Sequence, residues 1–153
     1  YYRINYDETL WTKISTALGK SDFGKIDDLN RAQLVDDTYN LAKAEKRTYS
    51  QFLDFVKFLN HETSYYPWSS AFSAFSSMLL RTEDQNIKSA LSNYILDLMT
   101  ALKIEVPFSE DNDDDPIYTQ NRVTALSWAC RLGDGVCIQK SKAVFNYYKE
   151  MNM

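Results

Sequence analysis

Residues 48–79 decide the fold, and they read TYSQFLDFVKFLNHETSYYPWSSAFSAFSSML. The first four form a capping box, in which the side chains of Thr48 and Gln51 accept hydrogen bonds from each other's backbone at a helix start. Pro67 stands where a first-turn proline opens a second helix. Apolar side chains follow each start at the helical period. They are Phe52, Phe55, Val56 and Leu59 after the first start, and Trp68, Ala71, Phe72, Phe75, Met78 and Leu79 after the second.

The rest of the chain repeats this alternation of helices and short connectors. The fold class is therefore all-α, with antiparallel helix hairpins stacked as a HEAT- or armadillo-like α-solenoid segment; a compact bundle is the competing architecture. Including the two helices above, the pattern predicts about seven helices. Four of the other five are predicted at 8–18, 28–46, 118–131 and 138–151. The fifth is a long helix that starts at a second capping box at Thr82 and runs to Leu102.

Only the first residues of the chain indicate a strand. Residues 1–6 alternate, with Tyr2, Ile4 and Tyr6 on one side and Tyr1, Arg3 and Asn5 on the other. Because a lone strand cannot satisfy its backbone hydrogen-bonding groups, a partner outside the chain is expected. We therefore divide the chain into residues 1–7, a terminal strand or linker of a preceding domain, and residues 8–153, a helical domain that is expected to continue.

Composition excludes several classes of protein. The 153 residues carry a net charge of −4 with a pI near 5.0, which argues against nucleic-acid binding. With 4 Gly and 3 Pro the chain is neither collagen-like nor low-complexity. No apolar run approaches the ~20 residues that cross a bilayer. A chain that opens on Tyr without a leader is expected to be a piece of a longer protein.

The candidate motifs for chemistry fail on residue identity. His61-Glu62 begins a zinc-protease motif, but Tyr65 holds the second ligand position and the chain has one His. The acidic run 110–115 lacks the Gly and the bidentate Glu of a calcium loop, since Pro116 and Arg122 hold those positions. The sequence therefore predicts no catalytic, metal-binding or cofactor-binding residue in this chain.

Four polar residues of the helix at 28–46 form a candidate contact surface. Asp36 and Asp37 are adjacent, but adjacent helical residues diverge by about 100° and do not face each other for acid–base catalysis. Arg31 and Gln33 precede them on the same helix. We predict that these residues contact a neighbouring element, with a catalytic role as the lesser alternative.

Cys130 and Cys137 lie seven residues apart across a turn that contains Gly133 and Gly135. Both could be free buried thiols, but the glycine-bearing turn between two helices favours a disulfide. Such bonds persist in secretory or extracellular compartments, so the pairing also bears on location.

Five ordered motifs resemble the M1 family of zinc aminopeptidases. Residues 30–37, NRAQLVDD, with YNLAKA at 39–44, resemble a signature at the start of that family's ERAP1-like C-terminal helical domain. The other four motifs are residues 1–7 (similar to the strand that leaves the β-sandwich domain), Trp11, the Glu-x-x-Tyr-x-Pro-Trp segment at 62–68, and the Ala-Cys-x6-Cys hairpin at 129–137. The likeness covers nearly the whole chain and is nearest to the insect midgut aminopeptidase N type.

This resemblance implies a parent enzyme and a role for the chain within it. The parent is expected to be a zinc aminopeptidase whose zinc helix lies upstream, since that motif is absent here. The chain itself, the first part of the helical domain, is expected to be non-catalytic, to cap the catalytic cleft and to limit substrate access. Its hairpin at 129–137 is expected to carry the disulfide of the N-type enzymes. The candidates for an interdomain or cleft-facing surface are Arg31, Gln33, Asp36, Asp37 and Trp68.

The resemblance also sets expectations about partners and location. The expected partners are the catalytic zinc domain of the same polypeptide, the peptide substrate indirectly, and a second copy in a homodimer. The expected location is extracellular or secretory, at the plasma-membrane surface through an anchor elsewhere. One alternative is a surface segment that binds toxins or viruses, with 110–115 as its acidic candidate. The other is a free-standing helical-repeat adaptor, which predicts reduced cysteines.

Overall fold

A computed structural model describes residues 3–108 and 115–151. Among these residues there are eight α-helices and no strand. Two short 3₁₀ segments, Phe23–Lys25 and Val56–His61, interrupt the series. The helices are α1 Glu8–Leu18, α2 Asp28–Lys43, α3 Tyr49–Phe55, α4 Tyr65–Arg81, α5 Gln85–Leu98, α6 Thr100–Glu105, α7 Pro116–Arg131 and α8 Gly135–Glu150.

The all-α class is confirmed, and the helix starts show why it forms. At α3 the predicted capping box is present, with Gln51 N 3.1 Å from Thr48 Oγ1 and Thr48 N 2.8 Å from Gln51 Oε1. At α5 the prediction is wrong, because Asp84 rather than Thr82 caps the helix. An Asp carboxylate accepts two backbone N–H groups there, and a charged acceptor binds them more strongly than a hydroxyl does.

Two predicted helices are divided in the structure. The helix predicted through Leu59 leaves α-geometry after Phe55 and continues as the 3₁₀ segment. The long helix predicted through Leu102 breaks at Met99, which separates α5 from α6. Both breaks lie at fully buried apolar residues, Val56 and Met99, where tertiary packing competes with the local helical pattern.

The predicted N-terminal strand is not confirmed. Residues 3–7 have no secondary structure, and Tyr1 and Tyr2 lie outside the described residues. Within the described ranges no other strand exists to pair with them, so their polar groups bond to helices instead. Asn5 Oδ1 accepts from Trp11 Nε1 at 3.2 Å, and Arg3 reaches α2. The division at residues 1–7 and 8–153 stays a prediction.

The core lies where α4 packs against α2 and α7. Trp68, Phe52 and Phe75 are fully buried. Phe72 of α4 stacks on Trp128 of α7, with 4.7 Å between ring centroids and 12° between planes. The aromatic side chains thus join successive helices into one hydrophobic core. The solenoid arrangement stays a prediction.

Candidate interdomain face

Arg31, one of the predicted surface residues, forms a buried ion pair with Glu62. The Arg31 guanidinium contacts both oxygens of the Glu62 carboxylate, with Nε 2.6 Å from Oε2 and Nη2 3.1 Å from Oε1. The Glu62 residue is 1% exposed. Arg31 Nη1 also donates to the carbonyl oxygen of Ile26 at 2.6 Å. A buried charge needs such complete pairing, because an unpaired one costs several kcal/mol.

Glu62 fixes the segment that leads into α4. Its Oε1 accepts from the backbone N–H groups of Thr63 and Ser64 at 3.0 and 2.9 Å. Its carbonyl oxygen accepts from Trp68 Nε1 at 2.8 Å. Trp68 itself is fully buried. Arg31 and Trp68 therefore hold α2 to α4 inside this domain, and neither side chain lies on its surface.

An aromatic ring covers the ion pair. The Phe23 ring lies 4.1 Å from Arg31 Cζ and stacks on the His61 imidazole, with 4.8 Å between centroids and 6° between planes. Both His61 ring nitrogens have oxygen partners, Asn60 Oδ1 at 2.6 Å and the Leu18 carbonyl at 3.1 Å. Cation–π and stacking contacts of this kind add to the hydrophobic burial of the ring.

The other three candidates form a polar cluster with the N-terminal segment. Arg3 Nη2 lies 2.8 Å from Asp36 Oδ2, and Arg3 Nε lies 3.5 Å from Asp37 Oδ1. Gln33 Nε2 donates to Asp37 Oδ1 at 2.8 Å. Burial raises the pKa of Asp37, with Asp36 adding to the rise; the hydrogen bonds from Gln33 and the Ile4 backbone, and the Arg3 charge, oppose it.

A groove of about 460 Å³ lies beside this cluster, between the N-terminal segment, α1 and α2. Its walls are mainly apolar, and Asp37 and Gln33 stand at its polar side. An apolar lining with a few polar groups on one side is the usual make-up of a surface that receives an apolar group. The apolar side chains that line it are Ile4, Tyr6, Ile14, Ile26 and Leu34.

A disulfide joins Cys130 to Cys137 at the corner between α7 and α8, with Cα atoms 5.1 Å apart. Gly133 ends α7 with φ of 94°, which a residue with a side chain rarely adopts. Asp134 caps α8 and lies 2.9 Å from Lys103 Nζ. The hydrogen bond from Lys103 lowers the pKa of Asp134 and outweighs the effect of burial. A second cavity of about 460 Å³ adjoins this corner.

Zinc does not fit the residues present. Across residues 3–108 and 115–151 there is no group of three His, Cys, Asp or Glu side chains that could hold a metal ion. His61, the one His, has both ring nitrogens engaged, and both cysteines are in the disulfide. No helix in the described ranges is long and apolar enough to span a bilayer. The acidic candidate lies outside the described residues except for Asp115, which caps α7.

Comparison with known proteins identifies relatives over nearly the whole chain. Residues 1–152 match the family described as the ERAP1-like C-terminal domain. The chain is 31% identical to membrane alanyl aminopeptidase of Manduca sexta, over 95% of this chain and 15% of that protein. It is 32% identical to aminopeptidase N of Homo sapiens, over 98% of this chain and 16% of that protein. It is 27% identical to glutamyl aminopeptidase of Sus scrofa, over 97% of this chain and 16% of that protein.

The geometry is that of an all-helical domain in which the buried Arg31 and Glu62 side chains pair with each other. The chain belongs to the ERAP1-like C-terminal domain family, and its resemblance to the M1 aminopeptidases is confirmed. It spans about one sixth of the length of these relatives.

Sequence reasoning missed the partners of the predicted residues. Glu62, Phe23 and Arg3 complete the interactions of Arg31, Asp36 and Asp37. One signal was available, because Glu62 opens the Glu-x-x-Tyr-x-Pro-Trp segment. Its pairing with a residue 31 positions away has no local signature.

Proposed function

We propose that this chain is a non-catalytic helical segment of a zinc metallo-aminopeptidase that removes N-terminal residues from peptides, and that it caps the active-site cleft and limits substrate access. The observation that carries the proposal is the family match over residues 1–152. The names of the relatives support it, since each is an aminopeptidase.

The arrangement of polar groups supports a scaffold role. Peptide hydrolysis needs a metal or nucleophile, a base and an oxyanion donor converging on one point. Arg31 and Glu62 instead neutralise each other inside the core. Gln33 is exposed and Asp36 half-exposed on the outer side of α2, beside the apolar groove. This outer side of α2 is the surface that we assign to the contact with the catalytic domain.

The same proposal implies where the parent protein would hold zinc and where the parent protein would act. The catalytic domain of the same polypeptide would hold the zinc, and this chain would meet peptides only at the edge of the cleft. The parent would act outside the cell, at the plasma-membrane surface. A homodimer contact and a toxin- or virus-binding surface stay predictions. The disulfide disfavours the free-standing adaptor, which predicts reduced cysteines.

The non-catalytic role is tested on the isolated chain. The purified protein, with its disulfide verified by mass, is incubated with alanine p-nitroanilide and added zinc. We expect no release of p-nitroaniline above buffer, because the described residues contain no group of three His, Cys, Asp or Glu side chains that could hold a zinc ion. Zinc-dependent turnover that survives repurification would overturn the proposal. A full-length aminopeptidase of the same family serves as the positive control for substrate and zinc.

A further inference from the structure

We propose that the turn between α1 and α2 is a protease-sensitive site, where the backbone opens locally and a lysine-specific protease cuts the Lys25–Ile26 bond of the otherwise folded chain. The closed turn is strained, and docking of the Phe23 ring holds it shut. All the contacts that hold this turn join residues within 17–62, so the site does not depend on the proposed function.

The strain lies in three successive backbone angles. Phe23, Gly24 and Lys25 have φ of 52°, 61° and 61°, all in the left-handed region. Glycine adopts this region freely, whereas a side chain brings Cβ too close to the following carbonyl oxygen. Two of the three residues carry side chains, so the closed turn is strained at both. Such conformations persist only where the surrounding structure over-determines them.

The docked Phe23 ring supplies that restraint. It lies 4.1 Å from Arg31 Cζ, stacks on His61 with 4.8 Å between centroids, and meets the Phe58 ring edge-on at 6.3 Å. Phe23 is nevertheless only partly buried. A partly buried ring leaves its contacts at a lower cost than a fully buried one, because it exposes less new apolar surface. Its departure also releases the backbone strain.

A protease can cut only after the turn has opened. In the closed turn Lys25 N–H donates to the Asp22 carbonyl and Ile26 N–H to the Phe23 carbonyl, at 2.9 and 3.2 Å. The rate of cutting therefore follows the population of the open form. The Lys25 side chain, which the protease recognises, is exposed. The cut adds one water across the Lys25–Ile26 peptide bond and leaves a carboxylate on Lys25 and an ammonium on Ile26.

The experiment digests the full chain with a lysine-specific endoproteinase under native conditions, with the disulfide intact, and follows each cut by mass. The internal comparison is Lys46, which is also exposed and lies in the turn between α2 and α3. That turn has one left-handed residue, Glu45, instead of three. We expect the cut after Lys25 to be roughly fivefold faster, or more, than the cut after Lys46.

Three variants separate local opening from global unfolding. Phe23→Leu loses the ring contacts and should speed the cut after Lys25 by roughly fivefold or more. Asp84→Ala, which removes the cap of α5, is the matched control and should change that rate by less than about twofold. Lys25→Gly relieves the strain at position 25 and should slow the cut after Lys20, in the same turn, by roughly threefold or more.

Three outcomes would overturn the proposal. They are a cut after Lys46 as fast as the cut after Lys25, equal acceleration by Phe23→Leu and Asp84→Ala, and a cut after Lys20 that Lys25→Gly does not slow. If Phe23→Leu does not fold, the comparison of Lys25 with Lys46 and the Lys25→Gly variant decide the question.

Discussion

Arg31 and Glu62 form a two-pronged ion pair inside the domain, with their closest atoms 2.6 Å apart. The pair connects α2 to the segment before α4, and Phe23 covers it on one side. It joins residues 30–37 to the Glu-x-x-Tyr-x-Pro-Trp segment at 62–68.

Replacement of one partner should therefore destabilise the fold strongly. Glu62→Ala leaves the Arg31 guanidinium buried without its carboxylate, which costs about 3–5 kcal/mol. The free energy of unfolding is measured by urea titration. Asp54→Ala is the control, because its pair with Lys57 is 65% exposed on both sides and contributes at most about 1 kcal/mol. Equal losses in the two variants would contradict the assigned role.

The start of α5 offers a second comparison. Asp84→Ala removes the side chain that caps the helix and should cost about 1 kcal/mol. Thr82→Ala should cost less, since Thr82 Oγ1 donates to the carbonyl of Met78 and does not cap α5. Thermal unfolding of the two variants distinguishes the caps. A larger loss for Thr82→Ala would restore the capping box predicted from the sequence.

Gly24 is predicted to be irreplaceable in the turn before α2. Its φ is +61°, and a Cβ there would lie 2.7 Å from Ala17 Cβ. Gly24→Ala should therefore destabilise by more than about 1 kcal/mol. Gly135→Ala is the matched control, because a Cβ there meets nothing within 4 Å. Equal unfolding midpoints for the two variants would refute this prediction.

Asp134 should stabilise the fold at neutral pH. The pKa of Asp134 is lowered, so the native state favours the anion. The resulting stabilisation is fully present above the pKa of the unfolded state and is lost as pH falls through the pKa of the folded state. Asp134→Asn keeps a good cap but loses the pair with Lys103, which should cost roughly 0.5–1 kcal/mol at pH 7 for these partly exposed groups. Urea titrations from pH 7 into acid should show the difference disappear.

Asp37 should behave in the opposite way. Its pKa is raised, so the native state disfavours the anion. Stability should therefore increase as pH falls through the folded pKa, and the gain should be complete below the unfolded pKa. Asp37→Asn is therefore expected to be no less stable than the natural chain at pH 7. A clear loss at pH 7 that disappears in acid would show that the pair with Arg3 outweighs burial.

Local signals predicted the helices well. The capping box at α3 and the apolar periodicity around it depend on residues within one or two turns of each other. The all-α class follows from this repeated pattern. The breaks at Val56 and Met99 do not follow from it, because both residues are fully buried where the 3₁₀ segment 56–61 contacts α5 and α6, which are distant from it in sequence.

The candidate surface was predicted less well, for a physical reason. The sequence alone does not distinguish a charged side chain that becomes buried from one that stays on the surface. Arg31 and Asp36 are both charged residues of the same helix. In the structure Arg31 is buried and paired with Glu62, whereas Asp36 is half-exposed. The strand predicted at residues 1–7 depended on a partner that the described residues do not supply.

The most direct test of the proposed role in limiting substrate access compares peptide lengths in the proposed full-length aminopeptidase. Gln33→Lys and Asp36→Lys alter the outer side of α2, and Asp54→Lys is the control on an exposed surface elsewhere. The ratio of kcat/KM for a nonapeptide to that for alanine p-nitroanilide is measured. We predict that the α2 variants raise this ratio at least threefold while the control leaves it unchanged. An unchanged ratio in folded α2 variants would contradict a role for this surface in limiting access.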